Sequence, residues 1–494
     1  MLARLRAHRD RHPDRLAVAN GKSTRDLRAL TRDAEALARR MRPGALVAAV
    51  LPSGPGFTAA QLACLEAGAV FFPLPLRATA AEHAKALAAL APDAVLVRPA
   101  DAAPIRDALA ALGQDAPLHD PDAPDDAPLA PRRAPALPPE ATMVQLTSGS
   151  TGTPKPVVLG RAALEAAVDA CADFAAAFAG HAVFSPMPQF HAMGGAVVLE
   201  HLLAGSSVLV ANRFVPGDDR KRMQRAEVRA LVGSPSYFRM LLRLQMWKGD
   251  ALPALRACVL GSASVDGALL AGLREASPAL SLHLRYGLSE AFGPLTRLDV
   301  APEDALPPRG CVGAPLAGVE LDVPADPEAP DEVRARAPSV ALGLWREGAL
   351  QPLADREGWL GTGDVGFRDA AGLHLRGRRS QFIKRQGYRI DPGEIEEALV
   401  SHPGVADAVV VGVPDPMAGQ RIVAAVEARE APETKALLAW CRSRLAPYKV
   451  PQKIERVEAL PRTRSGKPDR AAVRAAMQPA SQSPTEPQRR EQER

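Results

Sequence analysis

Residues Leu146–Lys155 read LTSGSTGTPK and follow an apolar run, Thr142–Leu146, with the character of a strand. Gly149 and Gly152 permit positive φ and leave room for another group to approach the backbone. Thr147, Ser148, Ser150, Thr151 and Thr153 set hydroxyls beside exposed backbone N–H groups, and Lys155 adds a positive charge. A loop of this make-up forms a nest for phosphate oxygens. It is not a Walker loop, because GxxxxGK[ST] does not align on it.

On the N-terminal side, Ala45–Pro52 (ALVAAVLP) and Ala69–Pro75 (AVFFPLP) read as strands with a helix between them, which predicts a parallel α/β unit. Residues 98–140 are rich in Ala, Pro and Asp, and DPDAPDDAPLAPRRAPALPPE within them reads as a surface loop rather than a folded element. On the C-terminal side, Val183–Pro186, Ser207–Ala211, Ala257–Leu260 and Leu282–Tyr286 are strand candidates between helical segments. The texture changes near Arg376–Arg379. A strand, a turn, an amphipathic helix over Pro392–Ser401, a strand at Ile422–Ala428 and a helix at Thr434–Leu445 predict a small α+β domain.

The expected fold is therefore α/β: a large N-terminal domain of layered α/β sheets plus a small, mobile C-terminal α+β domain. Its expected parts are a large N-terminal domain at 1–376, a small domain at 377–475 and a disordered polar tail at 476–494.

The 494 residues are too many for one core and suggest about three domain-sized units. With 47% apolar but only 4% aromatic residues, the cores must be built from Ala, Leu and Val. Sixty-one basic residues against 56 acidic ones leave a net charge of +5. The basic stretches Arg4–Arg15 and Arg489–Arg494 lack interleaved aromatics, which argues against nucleic acid as a partner. The five cysteines, Cys64, Cys171, Cys258, Cys311 and Cys441, are widely spaced with no CxxC pair. That argues against a disulfide framework or a zinc site and fits a reducing, cytoplasmic setting. Met1–Arg15 is charged throughout, unlike a signal peptide, and no 18-residue apolar run exists to span a membrane.

Further motifs follow LTSGSTGTPK in order: YGLSE at Tyr286–Glu290, RGCVGAPLAGVE at Arg309–Glu320, the segment Asp331–Trp345, WLGTGD at Trp359–Asp364, GRRSQFIKRQGYRIDPGEIE at Gly377–Glu396 and PRTRSGK at Pro461–Lys467. Together they span nearly the whole chain. The set resembles the adenylate-forming, AMP-binding superfamily of acyl- and aryl-CoA synthetases, stand-alone adenylation enzymes and firefly luciferase. The resemblance implies an enzyme that activates a carboxylic acid as an acyl-AMP with ATP and Mg2+, then hands the acyl group to a thiol.

The resemblance also implies roles for residues. A carboxylate attacking the α-phosphate needs positive charge between two anions, and Lys467 is implied to supply it. Glu290 is implied to ligate Mg2+ with Thr147 nearby, since magnesium takes few protein carboxylates beside substrate phosphates. Asp364 has two oxygens for two ribose hydroxyls, with Arg378 in support. Tyr286 is implied to stack on adenine, with Gly287 and Ser289 beside it and Gly261, Ser262 and Ala263 on the other side. His191 in PMPQFHAMGG would gate the acyl pocket, whose walls would include Gly233, Ser234 and Tyr237. Taken singly, Lys467 and Glu290 also read as surface charges, Tyr286 as a core aromatic and His191 as a structural histidine.

Amino-acid-activating relatives carry an Asp near the His191 position, where this chain has Phe190 and His191. A buried ammonium without a carboxylate is costly, so an aryl or aliphatic acid is expected. In the thiol half-reaction, Lys384 and Gly387 would line the channel for a pantetheine arm. Tyr448–Pro451 (YKVP) resembles a segment of CoA-utilising members and tilts the acceptor toward CoA. A phosphopantetheine arm on a separate acyl or peptidyl carrier protein, or an internal hydroxyl as in β-lactone synthetases, are the alternatives. A degenerate binding or scaffold protein is a fourth reading, against which Glu290, Asp364, Arg378 and Lys467 all stand intact. Two positions depart from the family pattern: Pro156 where a glycine is usual and Ser380 at the hinge position.

Overall fold

The computed structural model describes residues 1–123, 128–129, 137–148, 154–246, 251–385, 388–415, 417–428, 432–463 and 467–478. The chain divides into two compact units, Met1–Leu375 and Arg376–Arg494.

In the larger unit, the apolar runs become the central strands of two sheets. Leu46–Val50 and Val70–Pro73 pair in parallel in an eight-stranded sheet, with helix Pro55–Ala67 as their crossover. Ala182–Ser185, Ser207–Val210, Ala230–Gly233, Ala257–Leu260 and Ser281–Gly287 form the parallel middle of a nine-stranded sheet. These short strands are buried on both faces, which is why they read as continuous apolar runs without polar alternation. Successive side chains feed different cores. Val47 and Ala49 join the core between the sheets, while Leu46, Ala48 and Val50 join an outer core with helices Ala80–Ala89 and Ala103–Ala111. Leu231 and Leu260 likewise face the outer helices of the second sheet, whereas Val232 and Val259 face inward with Phe174 and Val197. Helices Leu27–Arg39, Pro55–Ala67 and Ala192–Leu203 fill the layer between the two sheets.

Strands Glu320–Asp322, Asp331–Arg336, Leu360–Asp369 and Gly372–Arg378 make a further four-stranded sheet, and the division between the units falls inside the last of these. In the smaller unit, Val405–Asp415, Gly419–Ala428 and Lys453–Val457 form a three-stranded sheet. Helices Pro392–Val400, Thr434–Arg442 and Arg470–Met477 and the hairpin Ile383–Arg385/Tyr388–Ile390 accompany it.

One expectation is corrected. Ahead of the stretch expected as loop, Ala103–Ala111 is a helix with Pro104 in its first turn, and Leu118–His119 adds a strand. Within the stretch expected to lie on the surface, Leu129 and Leu137 are buried and the Leu129 N–H donates to the Arg40 carbonyl. Asp469 caps Arg470–Met477, whose Val473 and Met477, four apart, are both buried. The expected disordered tail lies outside the described residues beyond 478. All five cysteines are free and buried.

Candidate active site

The phosphate-loop motif is flanked by a hairpin. Ala141–Ser148 and Pro154–Gly160 run antiparallel, with Thr147 opposite Lys155 and Leu146 opposite Pro156. The Thr147 hydroxyl lies 3.5 Å from the Lys155 carbonyl. Pro156 therefore sits in a strand next to an antiparallel partner. Gly149, Ser150, Thr151 and Gly152 lie outside the described residues, as does the side chain of Ser148.

Tyr286 and Asp364, 78 positions apart, are brought together: the tyrosine hydroxyl donates to Asp364 Oδ2 at 2.8 Å. Both are buried, and the ring belongs to the core formed with Leu288, Leu295, Val333 and Leu360. The TGD residues each hold this carboxylate in place. Thr362 donates to the Val333 carbonyl at 2.7 Å and accepts from the Asp364 N–H at 3.1 Å. Gly363 takes a left-handed turn at φ 71° while its N–H donates to Glu332. Opposite, strand Ala257–Leu260 ends in Gly261, Ser262 and Ala263. Ser262 is held at φ 64°, and its buried hydroxyl has no hydrogen-bond partner among the described residues. A hydroxyl held at such cost suits a ligand that supplies the missing partner, and a nucleoside does.

Glu290 sits in the one-turn 3₁₀ helix Ser289–Ala291, half-buried, and its carbonyl accepts from the Ala341 N–H at 2.8 Å. Gly287 packs so closely on the Gly293 carbonyl that a Cβ would come within 2.2 Å of it. The Glu290 carboxylate and the Thr147 hydroxyl are hard oxygen donors of the kind Mg2+ takes beside phosphate and water.

His191 caps helix Ala192–Leu203, and its ring lies 4.2 Å from that of Phe190. Gly194 is required there, because a Cβ would meet the Pro188 carbonyl at 2.1 Å. Met193 reaches toward Gly261, 3.1 Å from where a Cβ would stand. The acyl-wall expectation holds less well for Tyr237. Ser234 caps helix Pro235–Arg243, and the Tyr237 ring fills the outer core against Phe214 and Phe238. Met193 packs in the inner core, on the opposite face of the sheet. Gly233 leaves the space that this ring occupies, with Tyr237 Cδ1 2.8 Å from a would-be Cβ. Burial drives the Tyr237 phenol well above its ordinary pKa, so it stays neutral.

The smaller unit carries the other expected residues. Arg378 is exposed at the end of strand Gly372–Arg378. Lys384 lies in the hairpin strand Ile383–Arg385, its N–H donating to Gln420, and Gly387 lies outside the described residues. Lys467 is exposed, and its carbonyl accepts from the N–H of Thr463 at 2.7 Å and from its hydroxyl at 3.2 Å. Arg462 pairs with Asp407 at 2.6 Å, and Arg470 pairs with Glu396, so Lys467 lies between two ion-paired arginines in the chain.

Sequence reasoning passed over Gln145 and Gln189. Gln145, two residues before Thr147, donates to the Phe190 carbonyl at 2.7 Å. Gln189, fully buried, accepts from the Gly54 N–H, donates its side-chain amide to the Thr58 hydroxyl and donates its backbone N–H to the Ser53 hydroxyl. A single amide inside the apolar run Met143–Leu146 was the available signal.

The larger unit holds a phosphate-type hairpin and a buried tyrosine–carboxylate pair, and the smaller unit bears Lys467. Family models describe the same two parts: residues 5–345 match the AMP-binding enzyme model and residues 394–467 its C-terminal domain model. The chain belongs to the AMP-binding enzyme family and is an ATP-dependent, AMP-forming ligase. A feruloyl-CoA synthase from an Amycolatopsis species is 31% identical over 485 residues, covering 94% of this chain and 96% of that one. A sulfoacetate–CoA ligase from Cupriavidus necator is 32% identical over 470 residues, 90% of each chain. The solved amide bond synthetase from Marinactinospora thermotolerans superposes with a TM-score of 0.82 at 28% identity, covering 97% of this chain and 100% of that one. No helix among the described residues is long and apolar enough to cross a membrane.

Proposed function

We propose that this enzyme activates an aryl or aliphatic carboxylic acid as its acyl-AMP and transfers the acyl group to CoA. The observation that carries the reading is the end-to-end likeness to CoA ligases, over 94% of the chain for the feruloyl-CoA synthase, which takes in both units. The groups beside His191, the Phe190 ring and the Gln145 amide that donates to the Phe190 carbonyl, carry no charge, which supports an acid without an ammonium group.

In this reading Asp364, oriented by Tyr286 and Thr362, accepts the ribose hydroxyls with Arg378 in support, and Ser262 meets the nucleoside. Thr147 and Lys155 face the phosphates. Mg2+ would be held by Glu290 and Thr147 and supplies positive charge to the phosphates. Lys467 brings its ammonium between carboxylate and α-phosphate, two anions that otherwise repel. His191 admits the acid, and Lys384 borders the path of the thiol. The likeness to an amide bond synthetase favours one second reading, in which the same acyl-AMP meets an acceptor other than CoA, a carrier protein included.

The test is pyrophosphate release with ATP, Mg2+ and a panel of aryl and fatty acids, with and without CoA, beside Lys467→Ala. Acid-dependent release that falls by about 100-fold or more in Lys467→Ala, with acyl-CoA formed when CoA is present, is the expected result. Release without acyl-CoA transfers the reading to the second acceptor class, and no release with any acid overturns both.

A further inference from the structure

The hairpin strand and the loop that presents His191 belong to different sheets, and one side chain joins them. In Ala141–Ser148 alternate residues share a face. Met143 faces the core between the sheets and Val144 the outer core, so Gln145 and Thr147 project on the Met143 side. Gln145 is 2% exposed, and its Nε2 donates to the Phe190 carbonyl at 2.7 Å, the peptide group that leads into His191. Its Oε1 is buried with no hydrogen-bond partner among the described residues. A purely structural amide at that depth would use both ends, because an unmade bond costs about as much as a made one contributes.

The rest of the His191 loop is tied elsewhere. Gln189 fixes its start to Ser53, Gly54 and Thr58, at the head of helix Pro55–Ala67, and the His191 N–H closes back on the Pro188 carbonyl. These contacts anchor the loop to the layer between the sheets. Gln145 alone of these ties it to the strand that carries Thr147, two residues on. This bond is the path by which a shift of that strand, were phosphate binding to cause one, would reach the Phe190 carbonyl and so the imidazole.

We propose that Gln145 is a positioning residue that couples occupancy of the nucleotide side to the orientation of His191 on the acid side. This rests on the proposed function for the roles of Thr147 and His191, and extends it by naming the link between the two half-sites. One hydrogen bond sets the scale of the coupling at up to about tenfold in affinity.

The experiment uses the full chain labelled with 13C at histidine Cε1, the His191 signal being assigned by its loss in His191→Gln, with AMP as the probe. Gln145→Met keeps the volume without the donor. Gln145→Glu keeps the length but offers only acceptors when ionised. In the wild type, saturating AMP is expected to shift the His191 signal. In both variants AMP is expected to bind within threefold of wild type, which also reports an intact fold, while the His191 shift falls below a quarter of its wild-type size. With an acid that the pyrophosphate assay identifies, KM for the acid is expected to rise about tenfold while KM for ATP stays within threefold. A wild-type His191 signal that ignores AMP, or a Gln145→Met shift of wild-type size, overturns the proposal. Neither result depends on finding an acid, so failure of the acid panel counts against the proposed function and leaves the coupling result standing.

Discussion

Helix Ala192–Leu203 carries His191 at its head and, nine residues on, Glu200, whose carboxylate is buried against Arg285. Both guanidinium Nη atoms donate to the two Glu200 oxygens at 2.8 Å, and Arg285 directly precedes Tyr286. The guanidinium also lies 4.4 Å from the centroid of the Phe174 ring. Burial alone would make Arg285 easier to deprotonate, but the adjacent Glu200 more than reverses that and holds it charged. Side-chain exposures of 3% and 6% mean that neither ion can fall back on water if its partner is removed. Glu200→Gln keeps the shape but removes the charge and turns a donor toward a donor. The loss expected from breaking one side of such a pair is about 3–5 kcal/mol. Arg285→Met should cost about as much. The double variant Glu200→Leu/Arg285→Met removes both ions and should lie near wild type, so in a cycle with the single variants Glu200→Leu and Arg285→Met the coupling energy should offset nearly the sum of the two single losses. Urea unfolding of the full chain, followed by circular dichroism, reads the transition midpoint at constant m. A single variant that loses less than about 1 kcal/mol, or a double variant that loses the sum of the two, would refute the claim that this pair matters as a buried unit.

Two further predictions follow from buried groups. Tyr286→Phe removes a 2.8 Å hydrogen bond to a buried carboxylate, worth about 1.5–3 kcal/mol, and is expected to weaken AMP binding about tenfold by calorimetry; unchanged affinity would detach the Tyr286–Asp364 pair from the nucleoside site. His83 and His201 are both buried, and burial pushes each down to about 4 from an ordinary 6.5. Between those values the unfolded chain binds more protons than the folded one, so stability rises with pH across this window and is lost as pH falls through it. The loss is roughly 1 kcal/mol per histidine by pH 5.5. The melting temperature should therefore drop between pH 6.5 and 4.5, and a His83→Leu/His201→Phe variant should lose much of that drop; an equal drop in both proteins would exclude these two histidines as its source.

What could be read from the sequence follows physical range. Strands such as Ala257–Leu260 are legible because burial on both faces writes four apolar residues in a row. The hairpin partner Pro154–Gly160 is not, since Pro154 and Pro156 argue against a strand, although proline lacks only the donor and a strand can tolerate that loss where the N–H is not needed. Helix Ala103–Ala111 was not singled out in an Ala- and Pro-rich stretch, yet Pro104 in the first turn and Ile105, Ala108 and Leu109 on one buried face make a helix. The setting of Tyr237 was not legible, because a motif gives a residue's position in the chain but not which face of a sheet its ring will take. Gly233 decides that, by leaving room on the outer side.

The contacts least visible in the sequence are those between groups far apart in the chain, each unremarkable locally: Tyr286 with Asp364, Glu200 with Arg285, Gln145 with Phe190. Family motifs recovered both members of the first pair, because both belong to recurring segments, though not the bond between them. Neither member of the second pair lay in a segment that any motif singled out for chemistry, and of the third only Phe190 did, in PMPQFHAMGG. Yet Arg285 adjoins Tyr286, Phe190 adjoins His191 and Gln145 lies two residues from Thr147. The residues that orient a site in this chain are thus the near neighbours of its motifs, folded back onto one another. A polar side chain within two residues of a motif and facing a core is therefore the place to look for the support of the site.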